Sequence, residues 1–158
     1  MNQSPNGAEA AEAGVRTPRV LLVDDDAGDQ YLVRRALANH PRKAADLLVI
    51  DDGDAALDYL LHRIGQQPAP PRPDLVLLDL NLPGSDGFSI LSAVRSEARL
   101  ESMPVVVIST SSRDEDIAHS YRLGCNAYIV KPESASTFIQ VIHAVSHYWL
   151  GVDPTERN

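Results

Sequence analysis

The sequence is poor in sulfur and in aromatic rings. It has one cysteine, two methionines, one tryptophan and 5% aromatic residues in 158 positions. A lone cysteine, Cys125, excludes any disulfide within the chain and points to a reducing compartment. No apolar run approaches the ~18 residues of a membrane-spanning helix, and the first residues lack the charged and apolar regions of a secretion signal. Basic residues are also scarce, 14 Lys and Arg against 22 Asp and Glu, and they form no cluster. The formal net charge of −8 therefore argues against nucleic acid and anionic membranes as direct partners. A cytoplasmic protein is the expectation.

What the chain does have is a hydrophobic fraction of 44% and a length suited to one domain, enough to bury about two thirds of its unfolded surface. Residues 1–17 are rich in Ala, Glu, Gly, Pro, Ser and Asn and hold few large apolar groups, so they are expected to form a disordered tail. Residues 18–150 are expected to fold, and 151–158 to form a short C-terminal tail. Short apolar runs at 20–23, 47–50, 75–78, 105–108 and 127–130 read as strands. Helical stripes alternate with them. Val33, Ala36 and Leu37 mark 27–38; Leu57, Leu60, Leu61 and Ile64 recur at helical spacing; Phe88, Leu91 and Val94 mark a third helix. A fourth is expected over 114–123, stopped by Gly124, and a fifth over 136–149 with Phe138, Val141, Ile142, Val145 and Trp149 on its apolar face. Residues 65–73 contain four prolines and read as a stiff exposed connector. Five strands alternating with helices predict an α/β fold, a doubly wound five-stranded parallel sheet with helices on both faces.

The ends of the strands carry the chemistry. Arg19-Val20-Leu21-Leu22-Val23 runs into Asp24-Asp25-Asp26, and Leu75-Val76-Leu77-Leu78 into Asp79. Val105-Val106-Val107-Ile108 runs into Ser109-Thr110, and Ala127-Tyr128-Ile129-Val130 into Lys131-Pro132. Open parallel sheets place their sites at this carboxyl edge. Clustered carboxylates repel by about 3 kcal/mol per pair at about 5 Å and a dielectric near 20, which a hard divalent cation relieves. Asp24-Asp25-Asp26 also reads as a solvated acidic loop; Asp26, the better-placed helix N-cap, fits that role. His143 and His147, four apart on the last helix, have no third ligand nearby in sequence and read as surface residues.

Asp24-Asp25, Asp79, Ser109 and Lys131-Pro132, in this order and with Leu80-Asn81-Leu82-Pro83-Gly84-Ser85-Asp86-Gly87 after the central acid, resemble the receiver domain of two-component response regulators over most of the chain. The resemblance implies the flavodoxin-like receiver fold and a phosphoryl group carried on Asp79, delivered by a sensor histidine kinase. It implies Mg²⁺ held directly by Asp25 and Asp79, by the backbone carbonyl of Asn81, and through water by Asp24. Lys131 and Mg²⁺ would balance the charge of the transferring oxygens, so the receiver would catalyse its own phosphoryl transfer and dephosphorylation without being a conventional enzyme. Ser109 is the switch hydroxyl in this resemblance, Tyr128 the aromatic that follows it, and the bond before Pro132 is cis. Thr110 departs from the family, which usually has Ala or Gly there, where access to the phosphoryl group is controlled.

Ser109-Thr110-Ser111, the Leu78–Pro83 stretch and the aromatic ending at 146–150 look like the stand-alone regulators paired with bacterial phytochrome kinases. With eight residues beyond Leu150, output by protein contact is the expectation. Tyr121, Tyr128, Tyr148 and Trp149 are expected to support a homodimer through the face built from the fourth helix, fifth strand and fifth helix. A phosphate sink, a relay intermediate and a phosphate-independent binding module stay open as alternatives. A phosphatase of the haloacid dehalogenase type would also use an Asp nucleophile and Mg²⁺. It wants Asp-x-Asp on the first strand, whereas here the acid ends the third and Asn81 fills the second position.

Overall fold

Strands β1 (Arg19–Val23), β2 (Asp46–Ile50), β3 (Leu75–Leu78), β4 (Val105–Ser109) and β5 (Ala127–Val130) pair in parallel in the order β2-β1-β3-β4-β5. This computed structural model describes residues 16–39, 45–62 and 70–151. The apolar runs decide which strands lie inside. β3 and β4 are buried at every position and β1 at all but its first, as strands covered on both faces must be. β2 and β5, the edges, are partly exposed.

Helices α1 (Ala27–Ala38), α2 (Gly53–Leu61), α3 (Gly87–Arg95), α4 (Asp114–Arg122) and α5 (Ala135–Leu150) join the strands, with a short 3₁₀ turn at Ala98–Leu100. The period-two alternation of the strands splits the core in two. Leu21, Val23, Val76, Leu78, Val105 and Val107 face Leu57 and Leu60 of α2 and Ile90, Leu91 and Val94 of α3. Val20, Leu22, Leu75, Leu77, Val106 and Ile108 face Val33 and Leu37 of α1 and Phe138 and Ile142 of α5. The doubly wound sheet expected from the sequence is the sheet observed.

Local chemistry sets the helix starts. Asp26, Asp52, Asp86 and Ser134 each accept an N–H three residues on, caps worth about 1 kcal/mol apiece. α4 has no side-chain cap, but Asp114, Glu115 and Asp116 in its first turn oppose the helix dipole. It ends at Gly124, whose φ of 101° is the left-handed stop the sequence suggested.

Three expectations need correction or relocation. Pro73 is buried at the entry to β3, not part of an exposed connector, and residues 63–69, with Ile64, lie outside the described residues. His143 is half-buried between helices, its Nε2 2.8 Å from the Ala36 carbonyl oxygen of α1. Of the expected tails, 1–15 and 152–158 lie outside the described residues, while Arg16 pairs with Asp74. Among the described residues, no helix is long and apolar enough to cross a membrane.

Candidate functional site

Backbone pairing brings the polar strand ends together. The Asp79 N–H donates to Val23 O at 2.9 Å, setting Asp79 beside Asp24, and the Asp24 N–H donates to Ile50 O at 3.2 Å. The Lys131 N–H donates to Ser109 O at 2.7 Å, setting the ammonium's strand beside the hydroxyl's. The site straddles the point where the chain winds to either side of β1 and β3, the usual place for a ligand crevice in such sheets.

Asp24, Asp25 and Asp79 each offer a carboxylate oxygen within 4.8 Å of the others; Asp24 and Asp79 are buried and Asp25 is exposed. Among the described residues no other group of His, Cys, Asp and Glu converges this way, and His143 and His147 form no such group. Asp24 Oδ1 accepts the Asp26 N–H at 2.8 Å, and Asp79 Oδ1 accepts the Asn81 N–H at 3.2 Å. Asn81 thus touches the site through its amide in this state. Three oxygen ligands of this type, two sheltered and one open to water, fit a hard divalent cation that keeps part of its hydration shell.

Lys131 supplies the positive charge. Its Nζ donates to Asp29 Oδ2 at 2.6 Å, Asp79 Oδ2 at 2.8 Å and Asp24 Oδ2 at 3.1 Å, with the side chain only 9% exposed. Burial alone would pull this ammonium down; bonds to Asp29 and Asp79 and the charges of Asp24 and Asp79 outweigh it and hold its pKa above the ordinary value. At Asp24 burial prevails instead. Burial raises its pKa to about 6, against the lowering effects of the Asp26 N–H and Lys131.

Ser109 is fully buried, its Oγ accepting the Ser111 N–H at 3.1 Å, whereas Thr110 is exposed. The Tyr128 hydroxyl donates to the Ser111 carbonyl at 2.8 Å, and the Tyr128 N–H donates to the Tyr121 hydroxyl at 3.2 Å. Ser111 Oγ also donates to Asp116 Oδ2 at 2.5 Å, fastening the loop after β4 to α4. The four aromatics expected at an interface divide. Tyr121 and Tyr148 are exposed, while Tyr128 and Trp149 pack against opposite cores. The Tyr148 and Trp149 rings meet edge to face at 4.9 Å.

The loop after β3 is clamped from its neighbour. Gly53 donates its N–H to Pro83 O at 2.9 Å, and a Cβ on Gly53 would lie 1.7 Å from Ser85 O. Asp54 Oδ1 accepts both the Ser85 hydroxyl at 2.5 Å and its N–H at 3.2 Å.

Sequence reasoning missed Asp29. Its only local signal was an acid in the first turn of α1, which the helix dipole already accounts for.

Residues 20–143 match the family described as the response regulator receiver domain. The chain is 34% identical over 131 residues to response regulator Rcp1 of Synechocystis sp., covering 83% of this chain and 88% of that protein. The Mn²⁺-bound structure of Rcp1 superposes with a TM-score of 0.79 at 33% identity, covering 86% of this chain and 96% of that one. The phosphorylated cyanobacterial phytochrome response regulator RcpA superposes at 0.80 with 38% identity, over 85% and 95% of the two chains. The probable methanogenesis regulatory protein FilR2 of Methanothrix harundinacea is 38% identical over 133 residues, 84% of this chain and 83% of that protein.

Proposed function

This chain belongs to the response regulator receiver family, and from that membership we propose that it accepts a phosphoryl group from a sensor histidine kinase onto Asp79 and signals by protein contact. The observation that carries the reading is the Asp79 carboxylate, buried at a strand end, 2.8 Å from the Lys131 ammonium and within 4.8 Å of two further carboxylates. An oxygen of Asp79 attacks phosphorus; the new O–P bond makes an acyl phosphate as the P–N bond to the donor imidazole breaks. Asp25, Asp79 and the Asn81 carbonyl, with Asp24 through water, would hold a Mg²⁺, which would supply positive charge against the phosphoryl oxygens. Lys131 donates to one of those oxygens, so catalysis is positioning plus electrostatics. Ser109 then turns its hydroxyl to the phosphoryl group, gives up its bond with Ser111, and Tyr128 repacks with the Ser111 carbonyl it holds. One such charge-assisted bond, about 1.5–3 kcal/mol, biases the switch strongly.

The kinase is of the phytochrome type. RcpA, which carries that designation, supports this; FilR2, equally similar in sequence, makes the kinase the decisive thing to test. The test is mobility on a phosphate-affinity gel after incubation with Mg²⁺ and acetyl phosphate, then with a phosphorylated phytochrome kinase. A Mg²⁺-dependent shift lost in Asp79→Asn is expected. A folded protein that shifts with neither donor is not the phosphoryl acceptor of a phytochrome-type kinase.

The protein self-associates through α4, β5 and α5. Tyr121 and Tyr148, 50% and 41% exposed, are the rings available to a partner copy. Tyr121→Ser with Tyr148→Ser should convert a dimer into a folded monomer by light scattering. A wild-type monomer, or an unaltered dimer, rejects this face.

A further inference from the structure

A lysine ammonium has three protons to donate, and in Lys131 each goes to a different carboxylate. The distances are 2.6 Å to Asp29, 2.8 Å to Asp79 and 3.1 Å to Asp24. The three acceptors are not equivalent. Asp24 and Asp79 belong to the triad that converges for a cation; Asp29 does not. Asp29 makes the shortest bond and is the most open of the three, its side chain 21% exposed against 2% for Asp24 and 7% for Asp79. Its carboxylate is turned toward Lys131, and the N-cap work of α1 is done by Asp26.

A phosphoryl group arriving on Asp79 finds every proton of Lys131 engaged. One carboxylate must release the ammonium before a phosphoryl oxygen can take its place. We infer that Asp29 is a positioning residue that restrains Lys131: it competes with the phosphoryl oxygens for the ammonium and so limits how tightly an anionic phosphoryl group is held at Asp79. This rests on the phosphoryl-acceptor reading of Asp79. A charge-assisted N⁺–H···O⁻ bond is among the stronger polar contacts a protein makes. Removing the charge of Asp29, while keeping its shape, leaves that proton only a weaker bond to an amide oxygen and takes one negative charge away from an incoming anion.

The experiment compares wild type, Asp29→Asn and Asp29→Glu in two measurements. The first is the affinity for beryllofluoride, a phosphoryl mimic, at saturating Mg²⁺, with Mg²⁺ affinity measured alone beside it. The second, free of both ligands, is the rate at which an amine-acylating reagent modifies Lys131, followed by mass spectrometry. Asp29→Asn should bind beryllofluoride about five- to tenfold more tightly, with Mg²⁺ affinity within about threefold of wild type, since Asp29 lies outside the triad. Lys131 in that variant should acylate several-fold faster, and Asp29→Glu should restore both properties toward wild type. A merely structural Asp29 would weaken Mg²⁺ and beryllofluoride binding together. Beryllofluoride affinity that is unchanged or weaker in Asp29→Asn overturns the inference while leaving Asp79 as the acceptor. Wild type that binds Mg²⁺ but no beryllofluoride, even as Lys131 reactivity rises in the variant, overturns the phosphoryl reading and this inference with it.

Discussion

Asp24 and Asp74 lie at opposite edges of the same sheet, one just past the end of β1 and the other just before β3, and each faces a cation. Burial pushes both carboxyls up. At Asp74 the Arg16 guanidinium, bonded at 2.6 and 2.7 Å, and the Arg19 N–H at 2.7 Å outweigh burial, and its pKa falls below the ordinary range. At Asp24, 2% exposed against 28% for Asp74, burial wins even with Lys131 at 3.1 Å. The Asp74 pair is a surface clasp in high dielectric. The Asp24 pair is part of a desolvated charge cluster whose order depends on every member being present. Similar residue types thus give a tie at one edge and a poised site at the other.

Deleting the cation from each edge tests this most severely. Lys131→Met leaves Asp24, Asp29 and Asp79 facing one another, so a loss of about 3–5 kcal/mol is expected in urea unfolding without metal. Mg²⁺ at a hundred times its Kd should restore about 2.7 kcal/mol through linkage. A variant as stable as wild type, or one indifferent to Mg²⁺, would mean the cluster is not held by charge.

Acid separates the edges more gently. With Asp24 near pKa 6 and its unfolded value near 3.8, the native state binds the extra proton between these limits. The unfavourable contribution of charged Asp24 is therefore complete above pH 6, fades as pH falls, and is gone below 3.8. Mg²⁺ needs the carboxylate, so its Kd should rise about tenfold between pH 7 and pH 5 by calorimetric titration. A Kd flat across that interval would place the titration of Asp24 elsewhere. Asp74, shifted down, should lend stability above the ordinary carboxylate range and lose it only in stronger acid.

The smallest effect belongs to the surface clasp. Arg16→Ala should cost no more than about 1 kcal/mol, and less at high salt, with Mg²⁺ binding unaltered. A larger loss, insensitive to salt, would put Arg16 in the same class as Lys131.

The contrast also explains what could be read from the sequence. Strands covered on both faces are unbroken apolar runs, so the polar residue after each marks the sheet edge, and Asp24, Asp79, Ser109 and Lys131 fall where those runs stop. Asp29 is silent because its partner lies 102 positions away and the helix dipole suffices to explain an acid there. Pro73 was hidden by its three neighbouring prolines; lacking an N–H, it enters the interior at a strand start without stranding a donor. His143 looked like a surface residue because helical spacing cannot show that α1 presents the Ala36 carbonyl to it. Trp149, by contrast, lies on the apolar stripe that its spacing with Phe138, Ile142 and Val145 indicated, which is why it joins the core while Tyr148 beside it stays outside.

Anyone transplanting this site into another scaffold would copy three aspartates, a serine and a lysine, and would leave out a residue with nothing to copy. Ser85 O occupies the volume that a side chain on Gly53 would need, so the loop after Asp79 is shaped by that vacancy. A graft with alanine there would carry every charged group and still hold its central carboxylate on a displaced loop. The inventory of the site is incomplete without a hydrogen atom at residue 53.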